Sequence, residues 1–338
     1  MNHGLETIAE IAGVSKSTVS RVINDQPNVS AKTRQRVLEA IQQSGYRPNQ
    51  AARALVTRQT GVLSIVIPQA VAATFTDPYF PALIQSITLT ANEHNYAIML
   101  WVGNNAEEEE RYCDRILKNG FFDGMIIASA VDNDPLLQRL VGSKLPYVLI
   151  GPPQAQVEYS VDVDNRAVAH EAVSHLLSLG YQRVGTITGP LHMGVSRCRL
   201  QGYYDAFEQT GVGVDETLVA HGNYDESSGY TAMTTLIERG TDAVFCASDT
   251  MALGALRALL EAHLRVPEDV ALVGFDDMPF AATSHPPLTT VHQPIDELGR
   301  TATNLLISLI EGAPIQTHHL VLTAHLIIRH TCGAAKIA

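Results

Sequence analysis

Between Leu5 and Gly45 the apolar residues recur every three or four positions in three short runs. Leu5, Ile8, Ala9, Ile11 and Ala12 form the apolar face of a first helix, which Gly13 ends. Ser15 caps a second helix with Val19, Val22 and Ile23 turned inward. The turn-rich stretch Asn24 to Asn28 follows. Ser30 then caps a third helix, whose Val37, Leu38 and Ile41 complete a small core before Gly45 closes it.

From Gly61 onward the rhythm changes. Continuous apolar runs of strand length alternate with amphipathic stretches of helical length. Strands are expected at 63–67, 96–101, 124–128 and 146–150, with helices over 79–94 and 106–119 and another between the last two strands. A second set begins near Asp162, with helices over 165–179, 197–210, 226–239 and 250–263. Its strands are expected at 184–188, 218–221, 242–247 and 269–274. A helix over 295–309 and strand material at 318–329 end the chain. Strands that are apolar on both faces and alternate with helices imply doubly wound parallel sheets. Two such lobes in tandem leave a cleft, and ligands of these folds sit at the carboxyl ends of the strands.

Composition changes this picture in three respects. The hydrophobic fraction of 46% and charged fraction of 17% over 338 residues are ordinary globular values, which exclude a disordered or coiled-coil chain. Four dispersed cysteines form no C-x-x-C pair, which argues against a disulfide scaffold and a zinc site. The net charge of −12 conceals a split. Residues 1–60 hold eight Lys or Arg against four acids, a net +4, while the remainder holds 15 against 31, a net −16. A basic head on an acidic body implies that only the head approaches phosphate. No apolar run reaches membrane-spanning length and no signal segment is visible, so a cytoplasmic protein without membrane contact is expected.

The spacing of Ala9, Gly13 and Val19 has a physical reason. A small residue lets the second helix cross the first closely, a glycine makes the turn, and an apolar residue locks the pair. This is helix-turn-helix geometry, whose second helix enters the major groove. Its outward face carries Lys16, Ser17, Thr18, Ser20 and Arg21, all hydrogen-bond donors. An ordinary three-helix lobe with a solvated polar face also satisfies this spacing.

The run Thr7-Ile8-Ala9-Glu10-Ile11-Ala12-Gly13-Val14-Ser15-Lys16-Ser17-Thr18-Val19-Ser20-Arg21-Val22-Ile23-Asn24 resembles the signature of the lac repressor (LacI/GalR) family of bacterial regulators. The resemblance continues through Val29 to Arg34 and Gly45 to Asn49. Further along, Ala247 to Ala255, Val266 to Val270, Val273 to Asp277 and Pro287 to Val291 are similar to family landmarks. The resemblance implies an α/β chain with a helix-turn-helix head, a hinge and two doubly wound lobes of periplasmic-binding-protein type. The expected boundaries are 1–46 for the head, 47–60 for the hinge and 61–338 for the core. Lobe 1 would take about 61–160 and 294–320, and lobe 2 about 161–293 and 321–338. The chain would cross between lobes near 159–163, 290–294 and 318–323.

By the same resemblance Lys16, Ser17 and Arg21 read bases, and Thr18, Ser20 and Asn24 hold phosphates. Asn49, Ala52, Arg53 and Leu55 belong to a hinge helix started by Pro48, with Leu55 wedged into the minor groove; otherwise Leu55 is a linker residue packed on the body. The effector would meet Arg199, Asp276, Ser248 and Tyr224 from one lobe and Tyr79 and Phe80 from the other. Arg199 forks onto hydroxyls or a carboxylate, Asp276 accepts from hydroxyls, and Tyr224 stacks on a sugar face. Each residue also has a plain structural alternative: a salt bridge for Arg199, a cap for Asp276, core packing for Tyr79 and Phe80. Ser248 departs from the amide common in relatives. Ala128 and Gly151 occupy strand ends that often carry polar ligand groups, so the first lobe is expected to supply shape more than hydrogen bonds.

Enzyme signatures are missing from the sequence. Gly189-Pro190-Leu191-His192-Met193-Gly194 has P-loop glycine spacing but no following lysine. His318 and His319 diverge on an extended segment, and His170 and His175 are poorly spaced for chelation. No catalytic residue, metal or cofactor is expected. The expected function is a transcriptional repressor that binds double-stranded operator DNA as a homodimer and is released by a small, sugar-like effector. No heptad tail follows Arg329, so a tail-mediated tetramer is not expected. The alternatives are a corepressor mode, with a ligand such as a nucleobase or sugar phosphate, and a sugar-transport binding protein.

Overall fold

The computed structural model describes residues 5–23, 27–45, 59–67, 77–102, 113, 117, 120–128, 130–154, 157–211 and 213–334. The chain divides into two compact units, Met1–Gly61 and Val62–Ala338.

The first unit contains α1 (Leu5–Ala12), α2 (Lys16–Ile23) and α3 (Ala31–Ser44). Ser15 Oγ accepts from Thr18 N at 3.2 Å and Ser30 Oγ accepts from Thr33 N at 3.3 Å, so both expected caps start their helices. Gly13 makes the turn at φ +62°, a region that a side chain rarely enters. The Arg36 guanidinium donates to the carbonyls of Ala12 and Gly13, tying α3 to that turn. The core is Ile8, Ala9, Ala12, Val19, Val22, Val37 and Ala40. Two residues expected in it are outside: Ile11 is 49% exposed and Leu38 52%. The reason is helical phase. At about 100° per residue, Ile8, Ala9 and Ala12 share one arc while Ile11 falls about 60° beyond it. Leu38 stands in the same relation to Val37, Ala40 and Ile41.

The second unit starts with β1 (Val62–Ile67), α4 (Tyr79–Glu93), β2 (Ala97–Val102), β3 (Gly124–Ala128), α5 (Pro135–Leu140), β4 (Tyr147–Ile150) and β5 (Ser160–Val163). It continues with α6 (Asn165–Ser178), β6 (Val184–Thr188), α7 (Gly194–Thr210), β7 (Val219–His221), α8 (Glu226–Glu238), β8 (Ala243–Cys246), α9 (Asp249–Glu261) and β9 (Ala271–Asp276). It ends with α10 (Pro279–Thr283), β10 (Thr289–His292), α11 (Ile295–Ile310), β11 (His319–Leu322) and β12 (His325–Ile327). Two six-stranded sheets result, in the orders β11-β5-β4-β3-β1-β2 and β12-β10-β9-β8-β6-β7. Every pairing is parallel except β10 with β12. The inner strands are buried along their length, as parallel sheets covered on both faces require.

The chain passes between lobes after β5, after β10 and between β11 and β12. Residues 160–163 therefore belong to the first sheet, slightly beyond the boundary the sequence suggested. Strands β5 and β10 were not expected as separate elements, because each has only four residues and lacks an apolar run. Most of the helix expected at 106–119 and of the hinge at 47–60 lies outside the described residues. So do Asn24, Pro48, Asn49, Ala52, Arg53 and Leu55.

Candidate functional site

In the head, Lys16, Ser17 and Arg21 are exposed on α2, while Thr18 and Ser20 are partly buried beside them. Val19 and Val22 anchor the opposite face of the same helix in the core, so the polar face is presented by packing. Ser15 Oγ lies 2.8 Å from both Ser17 Oγ and Thr18 Oγ1, which orients the two hydroxyls at the start of α2. Lys16 Nζ donates to Glu6 Oε1 at 2.6 Å. That hydrogen bond and the lysine's charge hold the Glu6 carboxyl below its ordinary range. The pair ties the Lys16 side chain of α2 to α1. These are donors on one rigid helix, the arrangement that reads a major groove.

In the second unit a cavity lies between the lobes. The first lobe lines it with Asp77, Tyr79, Phe80, Ile150, Gly151 and Asp162. The second lobe lines it with residues that include Asn165, Met193, Arg199, Tyr224, Asp276 and Gln293. These positions cluster at the carboxyl ends of β4, β5, β9 and β10 and at the first turns of α4, α6 and α7, where doubly wound folds bind ligands.

Arg199 organises the cavity. Its Nε donates to Asn165 Oδ1 at 2.9 Å and its Nη1 to the Ala247 carbonyl at 2.6 Å. The guanidinium stacks 3.6 Å over the Phe275 ring, and Nη1 lies 3.7 Å from Asp276 Oδ1. Gln293 Nε2 donates to the same Asp276 oxygen at 2.5 Å. Burial pushes the Asp276 carboxyl up to about 7, against the pull of Arg199. Asp162 rises to about 7 for the same reason, although Asn165 Nδ2 donates to both its oxygens. Asp77 is also raised by burial, while its Oδ1 accepts from Tyr79 N at 3.0 Å.

The turn that carries Asp276 is unusual. Asp276 and Asp277 adopt φ of +118° and +59°. Asp249, fully buried, holds this turn by accepting from Met278 N at 2.8 Å and from Thr290 Oγ1 at 2.5 Å. Asp277 is gripped by Arg329 at 2.6 Å and His292 at 2.9 Å. Tyr224, at φ +60°, has its hydroxyl 2.8 Å from Ser196 Oγ. Its ring lies flush on Gly189, where a Cβ would come within 2.2 Å. Gly194 is covered in turn by Pro152 of the first lobe. The P-loop-like glycine spacing is thus a packing device, and its two glycine faces are occupied by side chains.

Five expected effector residues line this cavity: Tyr79, Phe80, Arg199, Tyr224 and Asp276. Ser248 is not among its lining residues. It is 1% exposed and its Oγ caps α9 by accepting from Met251 N at 3.2 Å, so the hydroxyl is spent on the helix terminus. The first lobe supplies more than shape, because Asp77 and Asp162 bring two buried carboxyls. Sequence reasoning missed Asp77, Asp162, Asn165 and Gln293 as site residues. A signal existed for each. Asp77 opens the Asp77-Pro78-Tyr79-Phe80 run, Asp162 and Asn165 flank the end of a short β-branched strand, and Gln293 follows another. Among the described residues, no cluster of His, Cys, Asp or Glu is arranged to hold a metal, and no helix is long and apolar enough to cross a membrane.

Residues 5–49 match the family of bacterial regulatory proteins of lacI type, and residues 173–332 match a periplasmic binding protein-like domain. The HTH-type transcriptional regulator CelR of Thermobifida fusca is 40% identical over 333 residues, covering 97% of both chains. The HTH-type transcriptional repressor CytR of Escherichia coli K12 is 32% identical, covering 98% of this chain and 96% of its own. Among solved structures, a CelR–cellobiose complex superposes with a TM-score of 0.76 at 36% identity, over 97% of this chain and 99% of that one. The lac repressor dimer bound to operator and the anti-inducer ONPF superposes with a TM-score of 0.86 at 27% identity, over 98% and 99%. With a lacI-type head, a periplasmic-binding-protein-like body and relatives matched along nearly its whole length, this chain belongs to the lacI family of bacterial DNA-binding transcriptional regulators.

Proposed function

We propose that this regulator is a cytoplasmic, homodimeric repressor that leaves its operator when a small sugar enters the cavity between the lobes. The observation that carries the reading is the cavity itself. Buried hydrogen-bonding groups, Arg199, Asp276, Asp162 and Asn165, surround it beside the tyrosine ring of Tyr224. Sugars require this combination, because each hydroxyl both donates and accepts while the ring faces are apolar. The likeness to a CelR–cellobiose complex makes cellobiose the first ligand to try. Lys16, Ser17 and Arg21 would read the bases of each half-site, with Thr18 and Ser20 on phosphates.

The three chain crossings between lobes allow a ligand to change how the lobes meet. A coupling of about 1–3 kcal/mol to the DNA-binding form would lower operator affinity by roughly 5–150-fold. The test is to select an operator from random duplexes with the full chain, then follow its binding by fluorescence anisotropy with and without cellobiose and other disaccharides. Release of DNA by one sugar is the expected outcome. Tighter binding would make the ligand a corepressor, and no response to any sugar would overturn the sugar-effector reading.

A further inference from the structure

We infer that the cavity admits uncharged, hydroxyl-rich ligands and rejects their phosphate esters, and that Asp77 and Asp162 set this preference. The inference rests on the cavity being the effector site. Three carboxyls line it, Asp77, Asp162 and Asp276, each less than a tenth exposed. Among the described residues that line it, Arg199 is the sole cation. Residues 68–76, which precede Asp77, contain no Lys, Arg or His.

Arg199 is poorly placed to grip a phosphate. A phosphate is best held by two parallel N–H donors of one guanidinium. Here Nε is committed to Asn165 and Nη1 to the Ala247 carbonyl, with Asp276 beside it. One face of the group lies on Phe275. The other anion-attracting features are the N-termini of α4, α6 and α7. Asp77 already accepts from Tyr79 N at the first and Asp164 from Ala167 N at the second, and the third, whose Gly194 lies next to lining residues Met193 and Val195, has no side-chain cap. A helix end carries only about half a unit charge. Pro152 also sits against Gly194. Burial raises Asp162 and Asp276 to about 7, so above that pH the carboxyls together outweigh the arginine. Rejecting a competitor by placing unpaired charge against it is a common source of specificity.

Asp77 and Asp162 are the residues to test, because neither has the close contact with Arg199 that Asp276 has. The experiment is isothermal titration of the full chain at pH 8 with cellobiose and with cellobiose 6′-phosphate, for wild type, Asp77→Asn and Asp162→Asn. The readout is the ratio of the two affinities, which a general loss of packing does not move. The ester should bind about 100-fold or more weakly to wild type, and either variant should narrow the ratio by about 10-fold. Equal or tighter binding of the ester to wild type overturns the charge preference and leaves the effector site standing. A ratio unchanged in both variants removes these residues as its source. If wild type binds neither compound nor any other disaccharide, the effector-site reading fails, and the inference with it.

Discussion

Asp132 of the first lobe and Arg197 of the second meet in a two-pronged ion pair, with both N–O distances at 2.6 Å. Beside it Asp132 N donates to the His192 carbonyl at 2.9 Å, and Val131 bridges Met193. Met193 also lines the cavity, so this clasp closes on the ligand space. It joins the loop after β3 to the loop after β6 and the first turn of α7, whereas the chain crosses between lobes at β5, β10, β11 and β12, near one edge of each sheet. The lobes are tied at the crossings by covalent chain and at the clasp by an exposed ion pair, each partner 46% exposed. An exposed pair contributes at most about 1 kcal/mol, so the ion pair itself is a weak part of the clasp beside the backbone bridge of Val131 and Met193. Asp132→Arg and Arg197→Asp should each weaken effector binding by about fivefold, a like-charge effect of that same order. The double swap should recover the affinity. Titration of all four proteins checks this, and a swap no better than the single variants would mean that the pair does not govern closure.

Gly189→Ala places a methyl group where the Tyr224 ring now lies. The displaced ring loses its place in the cavity and its contact with Ser196. Effector affinity should fall at least about tenfold, and the second unit should lose about 1–3 kcal/mol as an overpacked site. Thermal unfolding and titration of the same protein separate the two effects. Unchanged effector affinity would take Tyr224 out of ligand binding.

On the head, Arg21→Ala should cost about 1–3 kcal/mol on the selected operator and relax the preference at one base pair. Glu6→Gln should act in the opposite direction. It frees Lys16 from its 2.6 Å partner and removes a negative charge next to the DNA-facing helix. Operator affinity should rise by about threefold at low salt, with the gain shrinking as salt is added. Anisotropy at two salt concentrations reads both variants, and a salt-independent Glu6→Gln effect would mean the pair does not compete with DNA.

Stability should depend on pH through the cavity. Burial raises Asp162 from its ordinary value to about 7 in the folded chain. The folded state therefore holds more protons than the unfolded state between about pH 4 and 7, and stability falls as pH rises through that window. Asp162→Asn removes this cost. The variant should melt higher than wild type at pH 8, with the gain shrinking toward pH 5. An equal difference at both pH values would show that the substitution acts through packing alone.

The head and the α/β alternation were legible along the chain because they depend on neighbours. A cap reaches three residues, a helical face repeats within four, and a glycine turn needs only its own φ, so Ser15, Gly13 and the Ile8–Val19 core follow from local chemistry. Ile11 and Leu38 mark the resolution of such reasoning: a phase difference of about 60° separates core from solvent, and apolar character does not report it. Arg199 and Asp276 were accessible through family position. Their neighbours Asp77, Asp162 and Gln293 gave only a local cue, the start of a helix or the end of a short strand, with no periodic signal to mark them. They come together only when the chain passes between lobes and brings residues more than 100 positions apart to one cavity. Ser248 shows the converse. Its oxygen takes the N–H of Met251, three residues on, a local cap like that of Ser15, and its burial away from the cavity lining is what only the tertiary structure decided, because that depends on how α9 packs against the rest of the lobe.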